Sequence, residues 1–148
     1  MFVVGVAAAV WGFWWEPSSL TKYQEELALP SWPAACDGLT VAVLADLHVG
    51  SPYNGLDKLD QIVRQTLALA PDVILMAGDY VIQGVVGGEF VAPEDAAQVL
   101  ARLKAPLGVF AVLGNHDWWL DATRVRDALI GVDIVVLEDA SQMLDRGD

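Results

Sequence analysis

The most constraining feature of this sequence is a repeated alternation. Near-continuous apolar runs of strand length alternate with segments of helical period. Leu39–Ala45 (LTVAVLA) is the first run, bounded by Gly38 and Asp46. Val73–Ala77 is the second and ends at Gly78-Asp79. Gly108–Leu113 is the third and ends at Gly114, and Ile134–Leu137 is a fourth. Short runs of this kind suit strands buried on both faces. Between the first two, Leu59, Ile62, Val63 and Leu67 recur at the spacing of a helical face, and Pro71 stops that helix. Pro93 opens a second helix, with Glu94 and Asp95 in its first turn and Ala96, Val99, Leu100 and Leu103 as its stripe. Asp121 is the expected N-cap of a third helix that runs through Ile130 and closes at Gly131. Strand and helix alternate throughout. The expected fold class is therefore α/β, with a mostly parallel sheet and flanking helices.

The polar residues sit where this pattern puts ligands. Successive strands end in Asp46-Leu47-His48, Gly78-Asp79 and Gly114-Asn115-His116-Asp117. Open α/β sheets bind ligands beyond the carboxyl ends of their strands. Adjacent parallel strands would therefore bring these residues to one edge. Asp46 and His48 are two apart, so in extended backbone they point the same way. A carboxylate and an imidazole suit a divalent transition metal. Asp79 has two oxygens with which to bridge two metals, and Asn115 offers a neutral carbonyl oxygen to the second. Such a pair activates water and clamps a phosphoryl displacement. His116 is assigned to the leaving oxygen, with Asp117 holding it in position. Taken singly, Asp-x-His and Gly-Asp are common in solvated loops and turns, and Gly-Asn-His-Asp can simply be a helix entry. The three together, each after a buried strand, favour a metal site.

Charge and composition narrow the chemistry. The chain has 148 residues, 8 Lys+Arg and 20 Asp+Glu, for a formal charge of −12. So acidic a chain is not expected to bind nucleic acid by charge alone. A phosphate substrate would need positive charge from bound cations. One cysteine, Cys36, excludes an internal disulfide and a Cys-rich zinc site. The strand at Leu39–Ala45 is not followed by a Gly-rich phosphate turn, and Gly84, Gly87 and Gly88 lie in a loop, so a dinucleotide-binding reading is poor.

Residues 1–15 (MFVVGVAAAVWGFWW) carry no charge and fall short of the roughly 20 residues that span a bilayer. Trp11, Trp14 and Trp15 look like an interfacial aromatic belt, and the run is read as part of a membrane anchor. A buried or disordered apolar terminus is the alternative. Residues 16–38, with Pro17, Pro30 and Pro33, form a connector, and residues 39–148 form the globular part. Of the remaining candidates, packing is the default for Tyr80, with contact to a substrate phosphate as the alternative, and Trp118 and Trp119 divide between a hydrophobic lip and packing. Tyr53 and Asn54 fall in the loop after His48.

Together the three polar clusters resemble the first three motifs of the calcineurin-like metallophosphoesterases, over roughly residues 37–140. The stretches AVLADLHVG, PDVILMAGDYV and GNHDWW are similar to a bacterial subgroup. Its members often carry an N-terminal membrane anchor and are often named for UDP-2,3-diacylglucosamine hydrolysis. The resemblance implies phosphoester or pyrophosphate hydrolysis on a phosphorylated small-molecule, nucleotide-sugar or lipid-linked substrate. It also implies a pair of divalent ions (Mn, Fe, Zn or similar), a four-layer α/β/β/α sandwich and a place at a bacterial cell membrane. The family pattern continues with further histidines downstream. Here the only two, His48 and His116, are already used. The chain is therefore expected to be the N-terminal portion of such an enzyme, with both metal shells short of ligands and the sequence ending at Leu144–Asp148 without a closing element. The competing expectation is a catalytically inactive, membrane-attached binding module that keeps an acidic pocket.

Overall fold

The computed structural model describes residues 2–145; Met1 of the apolar run and Arg146–Asp148 of the tail lie outside the described residues. The chain falls into two compact units that divide between Asp37 and Gly38.

In the first unit, α1 (Phe2–Val10) continues through a π-helical turn, Trp11–Trp15, into the short α2 (Glu16–Ser18). Apolar side chains here stand in the open, with Phe2 85% and Phe13 81% exposed. Trp11 and Trp15 stack with ring centroids 6.2 Å apart. Among the described residues no helix is long and apolar enough to cross a membrane. A single 3-10 turn, Ala34–Cys36, closes the unit, and the Trp32 Nε1–H donates to the Cys36 carbonyl at 2.8 Å.

The second unit repeats strand and helix: β1 (Val41–Leu44), α3 (Leu56–Ala68), β2 (Val73–Met76), α4 (Pro93–Leu100), β3 (Val109–Ala111), α5 (Asn115–Ile130) and β4 (Val135–Val136). The four strands form one parallel sheet in the order β1-β2-β3-β4. Each strand thus joins its neighbour by one helical crossover. Crossovers of one hand in this order put all three helices on the same face. The core follows: Ala42, Ile74, Met76, Val109 and Ala111 from the sheet pack with Leu59, Val63, Ala96, Leu100, Val125 and Leu129 from the helices.

The three helices thus cover one face of the sheet, and on the other Phe110 is buried at 8% while its row neighbours stand more open. The register row Val43–Leu75–Phe110–Val135 lies on the other face. Its Val43, Leu75 and Val135 are 63%, 39% and 45% exposed. An apolar run signals a strand but does not say how many helices it receives. The described residues hold a single sheet, the sheet-and-helix half of the expected sandwich.

Two boundaries differ from the expectation. The third helix starts at Asn115 rather than after Asp121, and Asp121 breaks it with an extended backbone (φ −175°, ψ 93°). The expected cap still forms at that break, where the Arg124 N–H donates to Asp121 Oδ1 at 3.1 Å. Leu103 lies past the end of α4 and is still buried, carried inward by the turn that follows.

Ile74, fully buried between sheet and helices, sets a test of this layering. Ile74→Ala should lower unfolding free energy in urea by roughly 2–5 kcal/mol. Val43→Thr on the exposed face should stay within about 0.5 kcal/mol.

Candidate metal centre

Beyond their last ladder residues, β1 and β2 do not separate. The Asp46 N–H donates to the Gly78 carbonyl at 3.2 Å, that of His48 to Asp79 at 2.8 Å and that of Val49 to Tyr80 at 2.9 Å. The two strand ends thus travel together as an irregular ribbon. They do so at a backbone cost. Asp46 (φ 52°), His48 (φ 41°) and Asp79 (φ 57°) all adopt left-handed conformations. Each such non-glycine residue costs on the order of 1 kcal/mol. Strain of this kind persists where the surroundings over-determine it, and it clusters at functional sites.

The expectation that Asp46 and His48 point the same way because the backbone is extended is thereby corrected. The backbone at both is left-handed, and the side chains meet by that route instead. Asp46 Oδ1 lies 3.6 Å from His48 Nε2, and the Asp46 side chain is 72% exposed.

The third strand end is fastened by Asp117. Its carboxylate has 0% exposure. Oδ2 accepts from the N–H groups of Asp79 and Gly114, both at 2.8 Å, and Oδ1 accepts from Tyr80 N–H at 3.0 Å. One of these bonds is the N-terminal cap of α5 and two reach across to the end of β2. The close approach demands glycine at both crossing points: Gly78 has φ 93°, and a Cβ there would strike the backbone of Gly114. A Cβ on Gly114 would in turn strike the Asp79 carboxylate. Burial pushes the Asp117 carboxyl above the usual carboxylate range and Asp79 adds to this, while the three N–H donors pull the other way. Asp117 therefore binds the backbone on both sides of the join through these three bonds.

Within this frame, His48, Asp79 and His116 each offer a ligand atom, and those atoms lie within 4.8 Å of one another. The two imidazole rings meet edge to face with centroids 4.7 Å apart. Asp79 Oδ1 accepts the His116 backbone N–H at 2.8 Å, which orients the carboxylate. His48 Nδ1 is buried without a hydrogen-bond partner among the described residues. Two imidazoles and a carboxylate gathered this closely form a donor set that suits a divalent transition-metal ion.

The family model for calcineurin-like phosphoesterases matches residues 39–143. The chain belongs to the calcineurin-like phosphoesterase family. Two chlamydial proteins named UDP-2,3-diacylglucosamine pyrophosphatase LpxG are similar to it. That of Chlamydia trachomatis is 34% identical over 110 residues, covering 74% of this chain and 32% of the relative. That of Chlamydia muridarum is 31% identical over 137 residues, covering 93% of this chain and 39% of the relative. A zebrafish protein (Danio rerio) named transmembrane protein with metallophosphoesterase domain is 32% identical over 94 residues, 64% of this chain and 20% of that one. The chain thus spans between a fifth and two fifths of the length of these relatives. No solved structure matches it.

For this calcineurin-like phosphoesterase chain, the remaining candidates fall into two groups. Asn115 is exposed as the first residue of α5, next to the cluster in sequence. Trp118 is 62% exposed. Its neighbour Trp119 is the one that touches the cluster, with its ring centroid 4.7 Å from that of His116. Tyr80 takes its packing role. It is 2% exposed, and its hydroxyl donates to the Val112 carbonyl at 2.7 Å with the Met76 carbonyl at 3.2 Å. Burial, with the Asp117 carboxylate next in effect, holds its phenol above the ordinary range. Its ring is core packing between β2 and β3, which removes it from the substrate. The place of His116 in the ligand group was not read from the sequence. The available signal was that the chain's only two histidines each follow a strand end, those of β1 and β3.

Asp117→Ala should leave three buried N–H groups without an acceptor. The expected loss is roughly 3 kcal/mol or more in urea unfolding. It should be accompanied by faster hydrogen exchange at the amides of Asp79, Tyr80 and Gly114; unchanged exchange there would contradict the clamp.

Proposed function

We propose that this chain carries the strand-end metal site of a phosphoester or pyrophosphate hydrolase. The observation that carries the reading is the cluster of His48, Asp79 and His116, whose ligand atoms lie within 4.8 Å at the carboxyl edge of a parallel sheet. Asp46, His48 and Asp79 would hold one divalent ion, and Asp79 and Asn115 would offer oxygens to a second. When bound, such ions lower the pKa of a water and offset the charge of a phosphoester, which answers the chain's formal −12.

The chain's own residues do the rest. Asp79 is held by the His116 N–H, so its carboxylate is set before any ligand arrives. Asp117 fixes the end of β2 against the start of α5, which keeps Asp79 and His116 at constant separation. The His116 imidazole, partly exposed beside Trp119, gives its proton to the leaving oxygen. Exposed Trp118 forms an apolar wall at the same edge. The names of the chlamydial relatives support a nucleotide-sugar or lipid-linked pyrophosphate as the substrate class. The exposed apolar helix from Phe2 to Ser18 and the name of the zebrafish relative support attachment to a membrane.

A second reading is a binding module without turnover. The observation behind it is that two histidines are the chain's whole imidazole complement.

Mn²⁺ titration followed by hydrogen exchange separates these from a site that holds no metal. Exchange at residues 46–54 and 79–92 should slow with Mn²⁺, and Asp79→Ala should abolish the effect. No slowing overturns both readings. Slowing together with Mn²⁺-dependent release from bis(p-nitrophenyl) phosphate supports the hydrolase, and slowing without release, from this chain and from one extended to the length of the chlamydial relatives, supports the binding module. With His116 as the proton donor, His116→Ala should cut any turnover by about 10²–10⁴-fold, and, since its imidazole is one of the three groups of the cluster, weaken the Mn²⁺ protection without abolishing it.

Membrane attachment is checked separately. The chain should float with zwitterionic phosphatidylcholine vesicles, and its tryptophan emission should shift to the blue. Replacing Trp11, Trp14 and Trp15 together with Ser should remove both effects.

A further inference from the structure

His48 is held in a conformation that a histidine does not choose by itself (φ 41°), and the residues on either side are deeply buried, Leu47 at 5% and Val49 at 1% exposure. On one side the Asp79 carbonyl accepts its N–H at 2.8 Å. On the other side stands Asn54. Its Nδ2 donates to the carbonyl of Leu47, and to that of His48 at 3.4 Å. Its backbone closes the same loop: Gly50 N–H donates to the Asn54 carbonyl at 2.8 Å, and Asn54 N–H to the Ser51 carbonyl at 2.9 Å. Ser51 N–H reaches the His48 carbonyl at 3.0 Å.

We propose that Asn54 is the positioning residue for His48. Its two amide hydrogens bracket the carbonyls that flank the His48 Cα and so fix the backbone torsion from which the imidazole projects into the group with Asp79 and His116. The side-chain type follows from that task. Two neighbouring carbonyl oxygens call for a short planar group with two N–H donors. Aspartate is the same shape but presents oxygens, and serine has one donor and less reach. Residues that orient a ligand from behind typically change metal affinity by about 10–100-fold when removed. The inference rests on the metal-site reading above and adds to it a residue outside the three polar strand-end clusters.

The chain's two histidines are both at this edge, so imidazole NMR of the full chain gives one signal from each. Zn²⁺ serves as the probe, with His48→Asn to assign the signals. In the unaltered chain both signals should move on titration. In Asn54→Ala and Asn54→Asp both imidazole responses should require about tenfold or more Zn²⁺, because His48 and His116 belong to one group, while the dispersion of the backbone amides is kept. Asn54→Ser, with one donor, should fall between. If both signals ignore Zn²⁺ in the unaltered chain, the metal reading fails and takes the role of Asn54 with it. If the unaltered chain responds and the Asn54 variants respond identically, the positioning role alone is overturned. If the variants lose both responses and their amide dispersion together, Asn54 is a general structural residue and the proposal is likewise overturned.

Discussion

The arrangement at the sheet edge depends on one buried carboxylate. Asp117 has no exposure and takes three backbone N–H bonds, one from the cap of α5 and two from the end of β2. A carboxylate out of water needs such donors, and the N–H groups at a helix start and an irregular strand end need an acceptor. Each side satisfies the other. The result is a rigid join between two strand ends that the sheet ladder alone leaves free.

From that join the rest of the edge follows. The backbones at Gly78 and Gly114 approach so closely that neither tolerates a Cβ. The approach puts the Asp79 carboxylate against the His116 N–H, and the His116 ring against that of His48. Left-handed residues at Asp46, His48 and Asp79 are the local cost of keeping three side chains on one side of an irregular ribbon. Asn54 and the carbonyl of Asp79 hold that geometry from either side of His48. An acidic chain that gathers carboxylates at one edge opposes itself electrostatically, and a cation bound there, as proposed above, would relieve it.

Much of this was legible in the sequence. The apolar runs located the strands, and the helical stripes at Leu59–Leu67 and Ala96–Leu100 located two of the helices, because periodicity reports which face is buried. The polar clusters at the strand ends located the edge. Other features were not legible, for reasons that lie in three dimensions. Tyr80 follows Asp79 directly, yet its hydroxyl finds the Val112 carbonyl on the next strand and the side chain turns inward. Gly-Asn-His-Asp reads equally as a helix entry and as a ligand motif; in the structure Asn115 opens α5 and His116 lies in the group with His48 and Asp79. Asp121 does cap a helix, but a helical turn precedes it, because Asp117 starts α5 earlier.

The sequence by itself determined the α/β class, the order of strands and helices, and the edge at which the chemistry-bearing residues gather. Those properties follow from local pattern, and local pattern is written residue by residue. The tertiary structure alone decided which side chain does what at that edge. It gave Asp117 to the backbone, Tyr80 to the core and His116 to the group with His48 and Asp79. Hydrogen bonds between residues nearly forty positions apart, such as Asp79 with Asp117 at a separation of 38, are settled only when the strands lie side by side.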